Sequence, residues 1–397
     1  MMKIVLSSIL TFVLVGPAVA HQLSCLTPGT WADGRTGVPV PVQEVFQKMA
    51  NADAVLLGES HGVPDIQLWQ AATATTLSSF RPAQYGYEML PRSSQSALDS
   101  WSQGDLNLKE FLVASDWESN WGYDARPYDP ILRLPRIQAA PSRALNVDRP
   151  LVRRVSKEGW DQIKREDRQG IGDPASALPE YREWLKKIFR MKASLGASAS
   201  GENEKNFQYF EEAQLLWDRS FAEGIAQQLV DYPNRLPIAF VGRGHVEYGY
   251  GIEHQLVDLG IEKIVSAISL ITDQNCNLSH DEADRPLADF IYFLPNSRTA
   301  TQSAHSHRPR IGVIIEDAQD GGALVKQVLD NSPAAAGGFS PGDVVVRAAG
   351  LEVTAASDLG RIIRSHTWGA WLPFSIKRGG VTSEVVVKLP ISSAKSQ

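Results

Sequence analysis

Two four-residue stretches carry most of the chemistry open to this chain: "GESH" at 58–61 and "GRGH" at 242–245. Each follows an apolar run, "AVLL" before the first and "LPIAFV" before the second. Both read as strand, glycine, two residues, histidine. Glycine lets the backbone turn sharply there and lets another group approach closely. An imidazole changes charge near neutral pH and is the commonest metal ligand. Beside a carboxylate it can work as general base and acid on an ester, or hold a divalent metal that activates water.

More polar groups fall at strand ends. Glu88 ends "AQYGYEML" (83–90), Asn146 ends "SRALNV" (142–147), and Arg243 stands between the second glycine and His245. In a parallel sheet, ligands gather outside the carboxyl ends of the strands, so one edge would receive all of these groups. The hydrolytic set is then Glu59, His61, Glu88 and His245. The metal set is His61 and His245 with Glu59 or Glu88. Ser60 is a poor nucleophile, because "GESHG" lacks the G-x-S-x-G elbow, and no H-E-x-x-H occurs. A polar network that only ties the sheet edge together is the bland alternative.

The elements that must hold these groups follow from pattern. Continuous apolar strands at 54–58, 83–90, 142–147, 236–242 and 262–271, separated by helical stretches, predict a parallel sheet covered on both faces. Pro64 opens the helix after the first strand. The fold class is α/β, a layered parallel-sheet domain over 21–275 with a helical insertion at about 150–230. In that insertion Tyr181, Trp184, Leu185, Ile188 and Phe189 recur at helical spacing, as do Phe207, Phe210, Trp217, Phe221 and Ile225. Two core helices explain them; a cap forming one wall of an apolar pocket is the sharper reading. Residues 276–305 read as a polar linker, in which His305 and His307 are solvated. Residues 306–392 form a small, mostly β domain.

Composition narrows the function. A net charge of −6, with 43% hydrophobic and 21% charged residues, describes an ordinary globular chain. It gives no basic surface for nucleic acid. Residues 1–20 read as a signal peptide, with Lys3, an apolar core and the small-x-small "AVA", so the expected location is periplasmic. No other stretch is apolar enough to span a membrane. Cys25 and Cys276 are the two cysteines; in an oxidising compartment they are candidates for one disulfide. Cys25 also admits lipid anchoring, although "QLSC" puts Gln22 where a lipobox wants a branched apolar residue.

Two resemblances emerge from the residues. "NSPAAAGGFSPGD", with Ser332, Pro333, Ala334, Gly338, Pro341, Gly342 and Asp343 in order, resembles the PDZ family. That implies an exposed strand edge that takes a protein C-terminus or peptide by β-augmentation, here at Ile311, Gly312, Val313 and Ile314. "LLGESHGVPD" and "VGRGHVEYGYGIEHQL" together resemble the ChaN-like haem-binding domain of the Tiki, TraB and erythromycin-esterase superfamily. "YGYEML", "YDPIL", "ALNVDRP" and "EEAQLLWDRSFAEGI" fit in the same order. The family usually reads G-N-G-H, and here Arg243 replaces the asparagine.

The first resemblance leaves the PDZ partner open; the second implies haem binding linked to iron uptake. Haem needs an axial ligand, an apolar slot and partners for its propionates. His61, His245, Tyr248 and Tyr250 are candidate ligands, and Arg243 is a propionate partner. Without C-x-x-C-H, the haem would be non-covalent. The superfamily also contains metal-dependent hydrolases, the alternative reading, with a divalent metal as cofactor. A non-catalytic PDZ scaffold is the third, and a homodimer stays open.

Overall fold

The computed structural model describes residues 26–194, 204–272, 278, 280–295, 310–366 and 369–389. The signal segment, the Cys25–Cys276 pairing, His305 and His307 lie outside the described residues.

The first sheet contains β1 (Trp31–Asp33), β2 (Pro39–Val40), β3 (Ala54–Glu59), β4 (Ala83–Pro91), β5 (Ser142–Asn146), β6 (Leu236–Gly242), β7 (Ile264–Ile271) and β8 (Phe290–Leu294). Their spatial order is β2-β1-β8-β7-β3-β6-β4-β5. The six strands from β8 to β5 are mutually parallel, and β1 and β2 are added antiparallel at one side. Every residue of β3, β4 and β6 is buried, which is why these strands read as mostly apolar runs.

Alternation along β3 assigns its residues to two layers. Val55 and Leu57 pack with Tyr85, Tyr87, Phe240 and the Pro64–Ser78 helix. Ala54 and Leu56 pack on the opposite face with Phe221 and Ile225 of the helix Glu204–Asp231, and with Ile252 and Leu256. Across the insertion, the helices Arg149–Glu158, Pro179–Ser194 and Glu204–Asp231 enclose irregular chain. β3 is flanked by β6, and β6 by β4, with Glu59 in register with Gly242. The ends carrying Glu59, Gly242 and Glu88 are therefore consecutive.

One boundary needs correction. The stretch 276–305 is not all linker, because β8 lies within it, parallel to β7 and antiparallel to β1. The apolar run "FIYFL" was masked by the acidic, proline-containing "HDEADRP" just before it. β1 and β2 were too short to be read as strands.

The second sheet holds β9 (Val313–Asp317), β10 (Ala323–Val328), β11 (Val344–Ala348), β12 (Leu351–Glu352), β13 (Trp371–Arg378) and β14 (Val381–Lys388). It is antiparallel, in the order β14-β13-β11-β10-β9, with β12 beside β11. Ser332 caps the short helix Pro333–Ala336 by accepting from Ala335 N at 3.1 Å. Buried Asp343 closes the Pro341–Gly342 turn by accepting from Ser340 N at 2.8 Å. The core of this unit, from Ile311 to Leu389, is drawn from its own residues.

Candidate functional site

Glu59 is the last residue of β3 and faces the Pro64–Ser78 helix layer, as Val55 and Leu57 do. Its Oε1 meets His61 Nδ1 at 2.8 Å, and its Oε2 accepts from Gln67 Nε2 at 2.6 Å. Tyr128 donates to Oε1 at 3.2 Å and accepts from Gly62 N at 2.8 Å. Gly62, at φ +70, makes the turn that brings His61 back over the strand end.

The second histidine is held in the same way from the other side of the sheet. His245 Nδ1 meets Asp218 Oδ1 at 2.6 Å, and Asp218 comes from the long helix Glu204–Asp231. Its other oxygen accepts from Tyr181 at 2.8 Å. Glu88 lies between the two pairs. It accepts from Gly242 N, and its Oε1 stands 3.9 Å from His61 Nε2 and 3.9 Å from His245 Nε2. Asn146 donates to the Glu88 carbonyl at 2.8 Å, tying β5 to the same end. One histidine–carboxylate pair thus lies toward each face of the sheet, and the two meet over its end.

Aromatic rings surround both imidazoles. Trp121 stands 4.7 Å from the His61 ring, edge to face, and Tyr123 stands 5.4 Å away. Phe221 lies 5.2 Å and Trp217 6.4 Å from His245. A Cβ at Gly244 would lie 3.5 Å from Trp184, so the cap helix Pro179–Ser194 covers this turn.

The electrostatics follow from burial. Burial raises the Glu59 carboxyl above its usual range, against the pull of its hydrogen bonds from His61 and Gln67. Burial alone would lower His61, but the Glu59 hydrogen bond and the Glu88 charge outweigh it and raise the imidazole. Tyr128 is raised by burial and the Glu59 charge, so it remains a neutral donor.

The structure brings Glu59, His61, Glu88 and His245 together. It does not bring Tyr250 with them: that ring is buried, and its hydroxyl donates to Asp281 at 2.6 Å. Burial and Asp281 raise Tyr250, disfavouring the phenolate that would ligate iron. Tyr248 packs tilted at 5.2 Å against Tyr250, and burial raises it too. Arg243 is engaged by Glu247 four residues on. For the metal set, Glu59 already accepts hydrogen bonds from Gln67 and Tyr128 and pairs with His61. Among the described residues no group of three or more His, Cys, Asp or Glu is arranged to hold a metal ion.

Asp218, Gln67, Trp121, Tyr123 and Tyr128 are not legible as site residues, and Tyr181 reads only as part of the cap helix. Asp218 carried a signal nonetheless. It sits three, four and seven residues before Phe221, Ala222 and Ile225, an acid on the apolar stripe of a core helix.

In the second unit, Ile311 is buried in the core and Ile314 is 51% exposed. Gly312 takes φ +80 beside Ser332, and its carbonyl accepts from Leu329 N at 2.9 Å. Val313 and Ile314 lie on β9, which pairs on one side with β10 and ends the described sheet on the other.

Comparison with known proteins agrees with this architecture. A solved structure described as cofacial haem binding to ChaN of Campylobacter jejuni matches with a TM-score of 0.50 at 18% identity, covering 66% of this chain and 95% of that one. The HtrA-type protease AlgW with a decapeptide matches at 20% identity over 21% of this chain and 29% of its own, with a TM-score of 0.21. The HtrA3 PDZ domain bound to a phage-derived ligand matches at 21% identity over 21% of this chain and 86% of its own, with a TM-score of 0.20. No curated protein sequence matches the chain. Residues 309–389 match the PDZ domain model, and residues 45–256 match the model described as haem-binding uptake, Tiki superfamily, ChaN. The chain therefore belongs to the ChaN-like haem-binding family of the Tiki superfamily and carries a PDZ domain after that domain.

Proposed function

We propose that this protein binds haem non-covalently at the edge where His61 and His245 meet, and that it serves haem or iron uptake in the periplasm. The observation that carries this reading is the pairing of each Nδ1 with a buried carboxylate, at 2.8 Å for His61 and 2.6 Å for His245. Iron-ligating histidines characteristically give their second nitrogen to such a partner, which fixes the ring and strengthens the donor. The donor set thus fits haem iron, with Trp121, Tyr123 and Trp184 as apolar walls. Bound haem would supply an iron centre whose potential and reactivity these residues tune. The PDZ domain would present the β9 edge to the C-terminus of a partner.

Titration of the purified protein with haemin tests the reading. A saturable Soret band is expected, lost in the His61→Ala, His245→Ala double variant while circular dichroism stays unchanged. A folded wild type without a saturable band overturns it. Fractionation of the expressing cell tests the periplasmic location.

One observation favours a second reading. Glu88 lies within 3.9 Å of both Nε2 atoms, so a carboxylate and two imidazoles face one space and could act as general acid and base on an ester. Ester hydrolysis abolished by Glu88→Gln, in protein that binds no haemin, would favour hydrolysis. A double histidine variant that keeps every ligand and activity would leave the PDZ scaffold.

A further inference from the structure

The polar chain behind His245 includes two residues that need not touch any ligand. Asp218 has no exposed surface, although it shares its helix face with the buried Leu215, Phe221, Ala222 and Ile225. An acid there is costly unless its oxygens are paired. Both are: Oδ1 meets His245 Nδ1 at 2.6 Å, and Oδ2 accepts from Tyr181 at 2.8 Å. The backbone makes room for the contact. A Cβ on Gly251 would lie 2.6 Å from Asp218 Oδ1, so a larger residue at that turn would displace the carboxylate.

Tyr181 comes from another element, the cap helix Pro179–Ser194, and is 1% exposed. Its ring stacks on Tyr250 at 5.5 Å and leans on Trp184 at 5.8 Å. Those contacts hold its hydroxyl against Asp218 for as long as the cap helix is seated. Among the described residues His61 shows no such link to the cap; its carboxylate is fixed by Gln67 and Tyr128.

We propose that Asp218 is the positioning residue of His245 and that Tyr181 couples it to the cap helix, so that seating the cap holds His245 in the tautomer with its proton on Nδ1 and its lone pair on Nε2. An ionised carboxylate accepts but does not donate, so it selects the Nδ1–H form. The reason for such a device rests on the haem reading, because Nε2 is the atom that ligates. The tautomer claim stands without it.

The experiment is nitrogen-15 NMR of the histidine rings in the ligand-free full chain, followed by haemin titration of the same samples. Wild type is expected to show His245 protonated at Nδ1. Asp218→Asn is expected to move that proton to Nε2, because the amide can donate to Nδ1, and to leave the His61 signals in place. Haemin affinity should fall about 10- to 100-fold, the usual cost of losing such an outer partner. Tyr181→Phe should keep the tautomer, broaden the His245 signals and weaken haemin by a smaller factor. A wild-type His245 protonated at Nε2 overturns the proposal even if no variant folds. So does a folded Asp218→Asn that keeps the wild-type tautomer. If wild type binds no haemin while the tautomer moves as expected, the haem reading fails and the positioning role survives.

Discussion

His61 and His245 meet at one atom. The Nε2 of each lies 3.9 Å from Glu88 Oε1, and the far side of each ring is anchored by its own carboxylate, Glu59 at the end of β3 for His61 and Asp218 on the helix Glu204–Asp231 for His245. Three buried acids and two imidazoles therefore share one charge balance. Changing the central acid must change both outer pairs.

Glu88→Gln tests that balance. The Glu88 charge is one of the effects that raise His61, so its removal should move the His61 titration down. The sign for stability follows. A histidine raised in the folded state stabilises the fold below its unfolded pKa, and that contribution is lost as pH rises through the folded value. In Glu88→Gln this acid-side contribution should shrink. NMR titration of the His61 ring and urea melts at several pH values measure both; an unmoved His61 would refute the coupling.

Gly242→Ala isolates the geometry. Gly242 has φ −61, so alanine brings no backbone strain. The added Cβ would lie 2.8 Å from His61 Cε1, 3.1 Å from its Nε2 and 3.4 Å from Glu88 Oε2. The imidazole must move. We expect a folded protein, less stable by about 1–3 kcal/mol from overpacking, with haemin binding reduced at least tenfold. Wild-type affinity would mean that His61 is not a ligand.

The sequence revealed the strand ends and hid what reaches them from elsewhere. Glu59, His61 and His245 are legible because a strand that ends in a glycine and a titratable group advertises itself locally, and Glu88 because it is an acid inside an otherwise apolar run. Asp218, Gln67 and Tyr181 lie inside helices, where a polar residue has no local mark of the side chain it will meet. Tyr128 fell in a stretch that fitted the family order, yet its bonds to Gly62 and Glu59 are fixed only by tertiary packing. Tyr250 misled for the opposite reason: it stands five residues from His245 in sequence, and the turn between them sends its hydroxyl to Asp281. β8 escaped because its apolar run is short and follows an acidic stretch.

Glu253 makes a pH prediction away from the two histidines. Burial, reinforced by the Asp289 charge and opposed by Arg285, raises its carboxyl to about 7. It packs against Gly249, where a Cβ would lie 3.0 Å from its carboxylate. A carboxyl raised in the folded state binds its proton more tightly there, so stability falls as pH rises from the unfolded value toward 7. The loss is at most about 3 kcal/mol. Glu253→Gln should remove that slope and raise the melting temperature at pH 8. Equal pH slopes in the two proteins would show that Glu253 titrates normally.

Asp343 and Arg378 make the last prediction, in the PDZ domain. Residues 306–392 should fold alone, since the core from Ile311 to Leu389 uses no residue outside them. In that fragment Asp343 has no exposed surface and accepts from Ser340 N at 2.8 Å and from Arg378 Nε and Nη2 at 2.6 and 2.8 Å. Burial would raise this carboxyl, but Arg378 and Ser340 together hold it below its ordinary value. Its contribution is therefore present above the unfolded carboxylate pKa and is lost as pH falls through the folded one. The two single substitutions should not be equal. Asp343→Ala frees an arginine that is 48% exposed and rehydrates easily, costing about 1–3 kcal/mol. Arg378→Ala leaves a buried carboxylate without its cation and should cost more. Urea melts of the fragment at pH 7 should rank Arg378→Ala below Asp343→Ala, and the gap should close near pH 3, where the abandoned carboxyl takes up a proton. The reverse ranking at pH 7 would mean that Asp343 acts through its turn hydrogen bond alone.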